Sequence, residues 1–310
     1  MTGPVRSFES TLLRGLMGLL GVLALALAAL TWWAGFAGTQ ELMRVQLQRD
    51  VTRLRGDLEQ RLQQVQRHGE AVAERWASGH LPLDQPKASL ACLLPVFRAA
   101  APISALILVG EDGRGLIVAE TDTGMVNGAE LRRGPAGVME RYHVFEGLPV
   151  EGRWDAPGWH AWERPWYLAG QQAGPEGVWV APYRYAIVSR PGLTYARPVL
   201  DTAGRRLGVL CLDLPLDALN RDLDRALPVP GSALVLSDAR GRILLSHGVG
   251  GGFQHRVEDL ELPLLRSLLA HGAPEGIQRQ KGHLGQSATL TPTPDLHWRV
   301  ALAIPERALL

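Results

Sequence analysis

Lysine is nearly missing from this 310-residue chain: Lys87 and Lys281 stand alone among 32 lysines and arginines, and 31 acidic residues bring the formal net charge to +1. A chain so close to neutral carries no electrostatic footprint for nucleic acid or for a strongly acidic partner. Cysteine is also scarce. Cys92 and Cys211 lie far apart without a CxxC spacing, which excludes a cysteine zinc site. An oxidising compartment would allow them to pair, and two buried free thiols are the plainer reading. The nine histidines are scattered without ligand spacing, and neither HExxH nor Gly-x-Ser-x-Gly occurs. Gly248 to Gly252 lacks the Gly-Lys-Ser/Thr of a phosphate loop and reads as a flexible loop. No enzyme, metal or cofactor is therefore expected within these residues, and a catalytic output domain would have to lie beyond Leu310.

Charge is absent altogether between Arg14 and Glu41. Gly15 to Ala37 is almost wholly apolar and meets the roughly 20 residues that a spanning helix needs. Trp32 and Trp33 stand near its end, where aromatic rings favour the headgroup boundary. A cleaved signal peptide is the rival, with Gly35-Phe36-Ala37 as a cleavage site, but its apolar region is usually only about 7–15 residues. The expectation is an uncleaved anchor at 15–37 after a cytoplasmic segment at 1–14. Arginine counts do not settle the orientation: Arg6 and Arg14 precede the run, while Arg44, Arg49, Arg53 and Arg55 follow it, interleaved with Glu41, Asp50, Asp57 and Glu59.

Over 38–80 the pattern is helical. Val51, Leu54, Leu58, Leu62, Val65, Val72 and Trp76 recur mostly at three- and four-residue spacing with charges between them. Gly79 and Pro82 end the run. Such a stalk packs on a domain or on a second copy of itself, and the apolar stripe suggests a homodimer. A second helix is expected over Lys87 to Ala100, interrupted by Pro95 or starting near it. Strands follow at Ile103 to Val109, Leu116 to Glu120, Val178 to Ala186, Leu193 to Leu200 and Arg205 to Leu214, with Gly147 to Pro165 as a long loop and Leu216 to Ala226 as a short helix. Pro228 to Gly231 reads as a linker. Beyond it, Ala233 to Ser237 and Arg242 to Ser246 form a hairpin, Val257 to Ala270 a helix, and Gln286 to Thr291 and His297 to Ile304 further strands. The two units share a plan of strand, Asp-and-Gly turn, strand, intervening segment and further strands. Sequence-local strands of this kind form antiparallel sheets, so the fold class is α+β with two modules, at 81–227 and 228–304. Residues 305–310 read as the start of another helix.

Five of the nine tryptophans fall between Trp154 and Trp179, around Trp159-His160-Ala161-Trp162-Glu163-Arg164-Pro165-Trp166-Tyr167. Rings around one arginine suit a small-molecule pocket, with apolar walls, cation–π faces and a guanidinium that holds a carboxylate by two bonds. The same composition also fits a loop folded back to fill its own core.

Arg164-Pro165-Trp166-Tyr167 resembles the Arg-x-Trp-Tyr motif of the double-Cache sensor domain of bacterial transmembrane receptors, followed here as often there by small residues, Ala169 and Gly170. Tyr183 on a strand, Ala196-Arg197-Pro198-Val199, the Gly208-Val209-Leu210-Cys211-Leu212-Asp213 strand and the closing His297 to Glu306 continue the resemblance, which covers about residues 15–310. It implies two PAS-like antiparallel-sheet modules on a stalk helix. The membrane-distal module (81–227) would bind the ligand, the proximal module (228–304) would lead to a second membrane span not present here, and residues after about 38 would face the periplasm from the inner membrane. It further implies that Arg164, Trp166 and Tyr167 hold a ligand carboxylate, Asp213 holds an ammonium and Tyr183 flanks the ligand. Two positions depart from the amino-acid-binding pattern: Trp159 stands where a tyrosine is expected, and Tyr185 where an acid is. An amino acid, an amine or a small carboxylate is accordingly the expected ligand of a sensor that signals across the membrane. The alternative is a stand-alone membrane-tethered binding protein.

Overall fold

The computed structural model describes residues 5–100, 102–121, 124, 126–133, 138–144, 150–152, 160–186, 190–220, 227 and 230–308, with only the backbone described over 5–12, 32–44, 138–144 and 150–152. The first helix, α1 (Val5–Ala77), contributes to two compact bodies, one ending at Arg49 and one running from Asp50 to the end. In the first, Leu13–Thr31 is long and apolar enough to cross a membrane, with a mean hydropathy of 2.1 and no part of it buried by protein.

In the second body the stripe expected from the sequence is fully used. Val51, Leu54, Leu58, Leu62, Val65, Val72 and Trp76 are all buried, each such side chain contributing roughly 1.5–3 kcal/mol. Gly69 lies against the Tyr195 ring and Leu212, and the Trp76 ring reaches Gly208. The stripe that suggested a homodimer is thus buried within the chain itself. Helix α2 (Pro86–Ala99) runs through Pro95 without a break, contrary to expectation. Ala91 and Pro95 lie on its exposed side, so the carbonyl that loses its partner faces water.

Eight strands form the first sheet: β1 (Ala105–Gly110), β2 (Arg114–Glu120), β3 (Val126–Arg132), β4 (Val138–Val144), β5 (Val150–Gly152), β6 (Val178–Arg184), β7 (Pro191–Leu200) and β8 (Arg206–Pro215). Their order is β5-β4-β3-β2-β1-β8-β7-β6, every pairing antiparallel. The second sheet holds β9 (Ala233–Asp238), β10 (Ile243–His247), β11 (Gly276–Gln280), β12 (His283–Thr293) and β13 (Leu296–Pro305), ordered β10-β9-β13-β12-β11. Without β3–β5, the first sheet has the same order, β2-β1-β8-β7-β6. The registers correspond as well: Ala105 opens β1 opposite Asp213, and Ala233 opens β9 opposite Ala303.

The two modules also share their turn chemistry. Asp201 Oδ1 accepts from the Ala203 and Arg205 amides at 2.9 Å and Oδ2 from Arg205 Nε at 2.8 Å. Asp238 does the same with Arg240 and Arg242 at 2.9, 2.9 and 2.8 Å. An aspartate locked to the amides two and four residues on closes such a turn whatever its setting.

A short helix packs on each sheet, α3 (Pro165–Gln172) on β6, β7 and β8, and α4 (Pro263–Leu269) on β11, β12 and β13, while α2 packs on β2 and β3. The helix expected over 257–270 is split, with a single 3-10 turn at Val257–Asp259 and α4 starting only at Pro263. Arg299 caps α4, its guanidinium donating to the carbonyls of Leu268, Ala270 and Ala273 at 3.1, 3.1 and 2.8 Å. A cation is favoured at a helix C-terminus, where carbonyls lack partners. Cys92 is exposed and Cys211 buried, and both are free thiols, so neither the disulfide nor the picture of two buried thiols holds.

Candidate functional site

The Arg164-Pro165 step builds the site. A residue before proline is driven to extended backbone, and Arg164 adopts φ −73°, ψ 147°. Proline then opens a helix at no hydrogen-bonding cost. The resulting α3 sits very close to its sheet. A Cβ on Gly170 would come within 2.5 Å of Val209 Cγ1 and 3.2 Å of Ala196 Cβ, so only glycine permits this approach.

Strand alternation gives the first sheet two faces. Ala105, Ile107, Val109, Ala196, Val209 and Cys211 pack with Trp166 and Tyr167, while Leu212 and Tyr195 face Gly69 of α1. Trp166 is 2% exposed and meets Tyr167 edge-on at 5.9 Å. Trp162 donates its indole N–H to the Gly110 carbonyl at 3.0 Å and lies under the Arg133 guanidinium. The two tryptophans of the motif region therefore build the floor of this face, as the core-filling reading expected.

At the far end of the same face is a polar cluster. Thr194 donates to Asp213 Oδ1 at 2.6 Å, and the Cys211 thiol reaches the same oxygen at 3.6 Å. With its proton committed to an ionised Asp213, Thr194 accepts from the Tyr183 hydroxyl at 2.9 Å. Tyr183 and Tyr185 meet edge-on at 5.5 Å. The Tyr185 hydroxyl donates to the Leu193 carbonyl at 2.5 Å and lies over Gly192, where a Cβ would come within 2.0 Å of that oxygen. Burial pushes the Asp213 carboxyl up to about 7, against the pull of Thr194, Cys211 and the Arg164 charge. Burial and the neighbouring Asp213 also push both tyrosine hydroxyls and the Cys211 thiol well up. Both donors reach Oδ1, so Oδ2 has no donor among the described residues. The arrangement offers one buried carboxyl with an open acceptor and one arginine charge felt across the same space.

The structure thus brings together Arg164, Tyr183, Tyr185 and Asp213 from the residues expected, and Tyr183 packs against the core that holds Trp166. It turns Tyr167 elsewhere. After burial, the Tyr167 hydroxyl feels Glu111, Arg206, Gln171 and Arg133, groups near the opposite end of the sheet. Trp159 lies outside the described residues. Thr194 and Cys211 were not foreseen; the signal was the register, which sets Thr194 opposite Asp213. A groove of about 490 Å³ also opens at the opposite end, lined by Trp76, Leu83, Glu111, Arg206 and Leu207 among others. Most of its charges are met within the chain, Arg206 by Glu111, Arg205 by Asp201 and Arg114 by Asp112, whereas Asp213 Oδ2 has no donor among the described residues.

The second sheet has no counterpart of this cluster. By register, Ala303 takes the place of Asp213 and Gly285 that of Thr194. Gly285 lies directly under Leu264 and Leu268, whose methyls would stand 2.9 and 2.8 Å from a Cβ there. The position that is polar in the first module is plugged by leucine in the second.

No family model and no curated protein sequence matches the chain. Its structure is similar to ligand-binding domains of bacterial chemoreceptors. That of the Pseudomonas aeruginosa PAO1 amino acid chemoreceptor PctC, solved in complex with GABA, is 20% identical with a TM-score of 0.56, covering 84% of this chain and 99% of that one. That of Campylobacter jejuni Tlp3, solved with L-valine, is 12% identical with a TM-score of 0.55, covering 88% and 96%. That of Pseudomonas fluorescens CtaA, solved with L-isoleucine, is 15% identical with a TM-score of 0.52, covering 87% and 94%. The likeness at these identities is one of fold, and the fold is the double-Cache arrangement that the sequence resembled.

Proposed function

We propose that this chain is the extracytoplasmic sensing region of a transmembrane receptor, and that it binds a small molecule bearing a carboxylate, an amine or both in the module at 81–227. The observation that carries this reading is the Arg164–Tyr183–Thr194–Asp213 cluster, polar at a position its sister module fills with leucine. A carboxylate oxygen that no donor among the described residues reaches can accept from a ligand donor. Arg164 takes the ligand's anionic end and Asp213 its donor end, with Tyr183 and Tyr185 as the wall between. The apolar 15–37 segment anchors the chain in the inner membrane, residues after about 38 face outward, and the module at 228–304 passes on the conformational change. The amino-acid ligands of the three structural relatives support the same chemical class.

For binding to signal, the ligand must favour one conformation over another. The reading is tested by titrating the chain with three compounds of one shape: L-valine, isobutylamine and isovalerate. Binding of any one that is lost in Arg164→Ala or Asp213→Asn supports the assignment and identifies which charge is read. Binding that survives both substitutions refutes it.

A further inference from the structure

The edge of the first sheet is held by the second. Strand β6 is the last strand on its side, so every other backbone N–H along it points away from β7. One of these, the Trp179 amide, donates to Asp295 Oδ2 at 3.2 Å. Asp295 sits in the two-residue turn between β12 and β13, where Thr293 pairs with Leu296. A free strand edge is a liability, and here one carboxylate of the other module covers it.

Four further observations make this contact more than an edge cap. Trp179 is 3% exposed and its ring packs on Tyr195 at 5.5 Å, the residue that meets Gly69 of the stalk. Four residues along the same strand, Tyr183 opens the hydrogen-bond chain to Thr194 and Asp213. The pairing of β6 with β7 shifts register between Val180 and Tyr183, so the strand is not locked along its whole length to its neighbour. Asp295 begins a straight path, since β13 runs from that turn through the centre of the second sheet to Pro305.

We propose that β6 is the lever between the two modules and that the Trp179–Asp295 hydrogen bond is its latch: a change at the Tyr183–Thr194–Asp213 chain moves β6, and Asp295 carries the movement into the β12–β13 hairpin. The proposal rests on the binding-site reading only for what would occupy the cluster. Two sites are coupled when both bias one element with two arrangements, and β6 is the strand that touches both.

The test perturbs the cluster from inside the chain and needs no ligand. Hydrogen exchange is followed in the full chain in detergent micelles. Thr194→Val removes the central hydroxyl, and Tyr183→Phe, a milder change, removes only the first donor. Either is expected to speed exchange of the β6 amides, Trp179 included, and of residues 290–298 by roughly three- to tenfold, the range set by one hydrogen bond. Adding Asp295→Ala leaves the effect on β6 but abolishes it at 290–298, and Asp295→Asn, which keeps an acceptor, restores it. Unchanged exchange at 290–298 in Tyr183→Phe, or a change that persists in the Asp295→Ala background, overturns the proposal. Neither result bears on whether a ligand binds at Arg164 and Asp213.

Discussion

Replacing Asp213 with asparagine should make the protein less sensitive to pH, and the size of the effect follows from where the carboxyl sits. Burial holds its folded pKa at about 7, against an ordinary value of 3.8. A group whose folded pKa is raised stabilises the fold fully below its unfolded value, and this contribution is lost as pH climbs through the folded one. At ~1.4 kcal/mol per pH unit the whole loss is about 4 kcal/mol, of which roughly 2–3 kcal/mol falls between about pH 5 and pH 8. Asparagine keeps an acceptor for Thr194 and carries no charge. The assay is urea denaturation of wild type and Asp213→Asn across that range, read as the difference between the two so that other titrating groups cancel. The difference should move in favour of the variant as pH rises, by roughly 2–3 kcal/mol. A constant difference would show that Asp213 ionises as freely as in water, and the case for a buried carboxyl would fail.

Other substitutions read the packing. Gly170→Ala places a methyl against Val209 Cγ1 and Ala196 Cβ and should cost about 1–3 kcal/mol in thermal or chemical denaturation, because α3 must lift from β7 and β8. Leu264→Ala in the second module should cost about 2–5 kcal/mol without changing ligand affinity, since it opens only the plugged counterpart of the site. Arg299→Met leaves the Leu268, Ala270 and Ala273 carbonyls without their cap; exchange of the α4 amides should accelerate while those of β1 and β8 stay unchanged.

Much of the architecture was legible because it is written in period and in turn chemistry. The apolar run, the three- and four-residue stripe of α1 and the Asp-Gly-Arg turns are local, and each fixes its element with little help from elsewhere. The strands that escaped are those whose residues do not alternate. Val126–Arg132 carries Asn127, Gly128 and Glu130 on buried positions, and Gly276–Gln280 has one large apolar residue, so each depends on the neighbour it pairs with. Pro95 misled for a related reason: whether a proline breaks a helix depends on which side faces water. The site divides in the same way. Arg164, Tyr183 and Asp213 were recognisable by their types and order. Thr194 and Cys211 were not, since a threonine in a strand looks like any β-branched residue until register sets it beside a carboxylate. Tyr167 was assigned with its neighbour, yet successive residues on a helix point about 100° apart, and its hydroxyl turns from the Asp213 cluster.

The central claim is that a small charged ligand is held between Arg164 and Asp213. The most direct measurement is a thermal-shift screen of the full chain against amino acids, amines, organic acids and purines, repeated on every hit with Arg164→Ala. A ligand at 100 times its dissociation constant should add about 2.7 kcal/mol of stability. The account predicts at least one stabilising compound carrying a carboxylate or an amine, with the shift lost in the variant while the variant itself melts cooperatively. A hit that stabilises wild type and Arg164→Ala equally would contradict it.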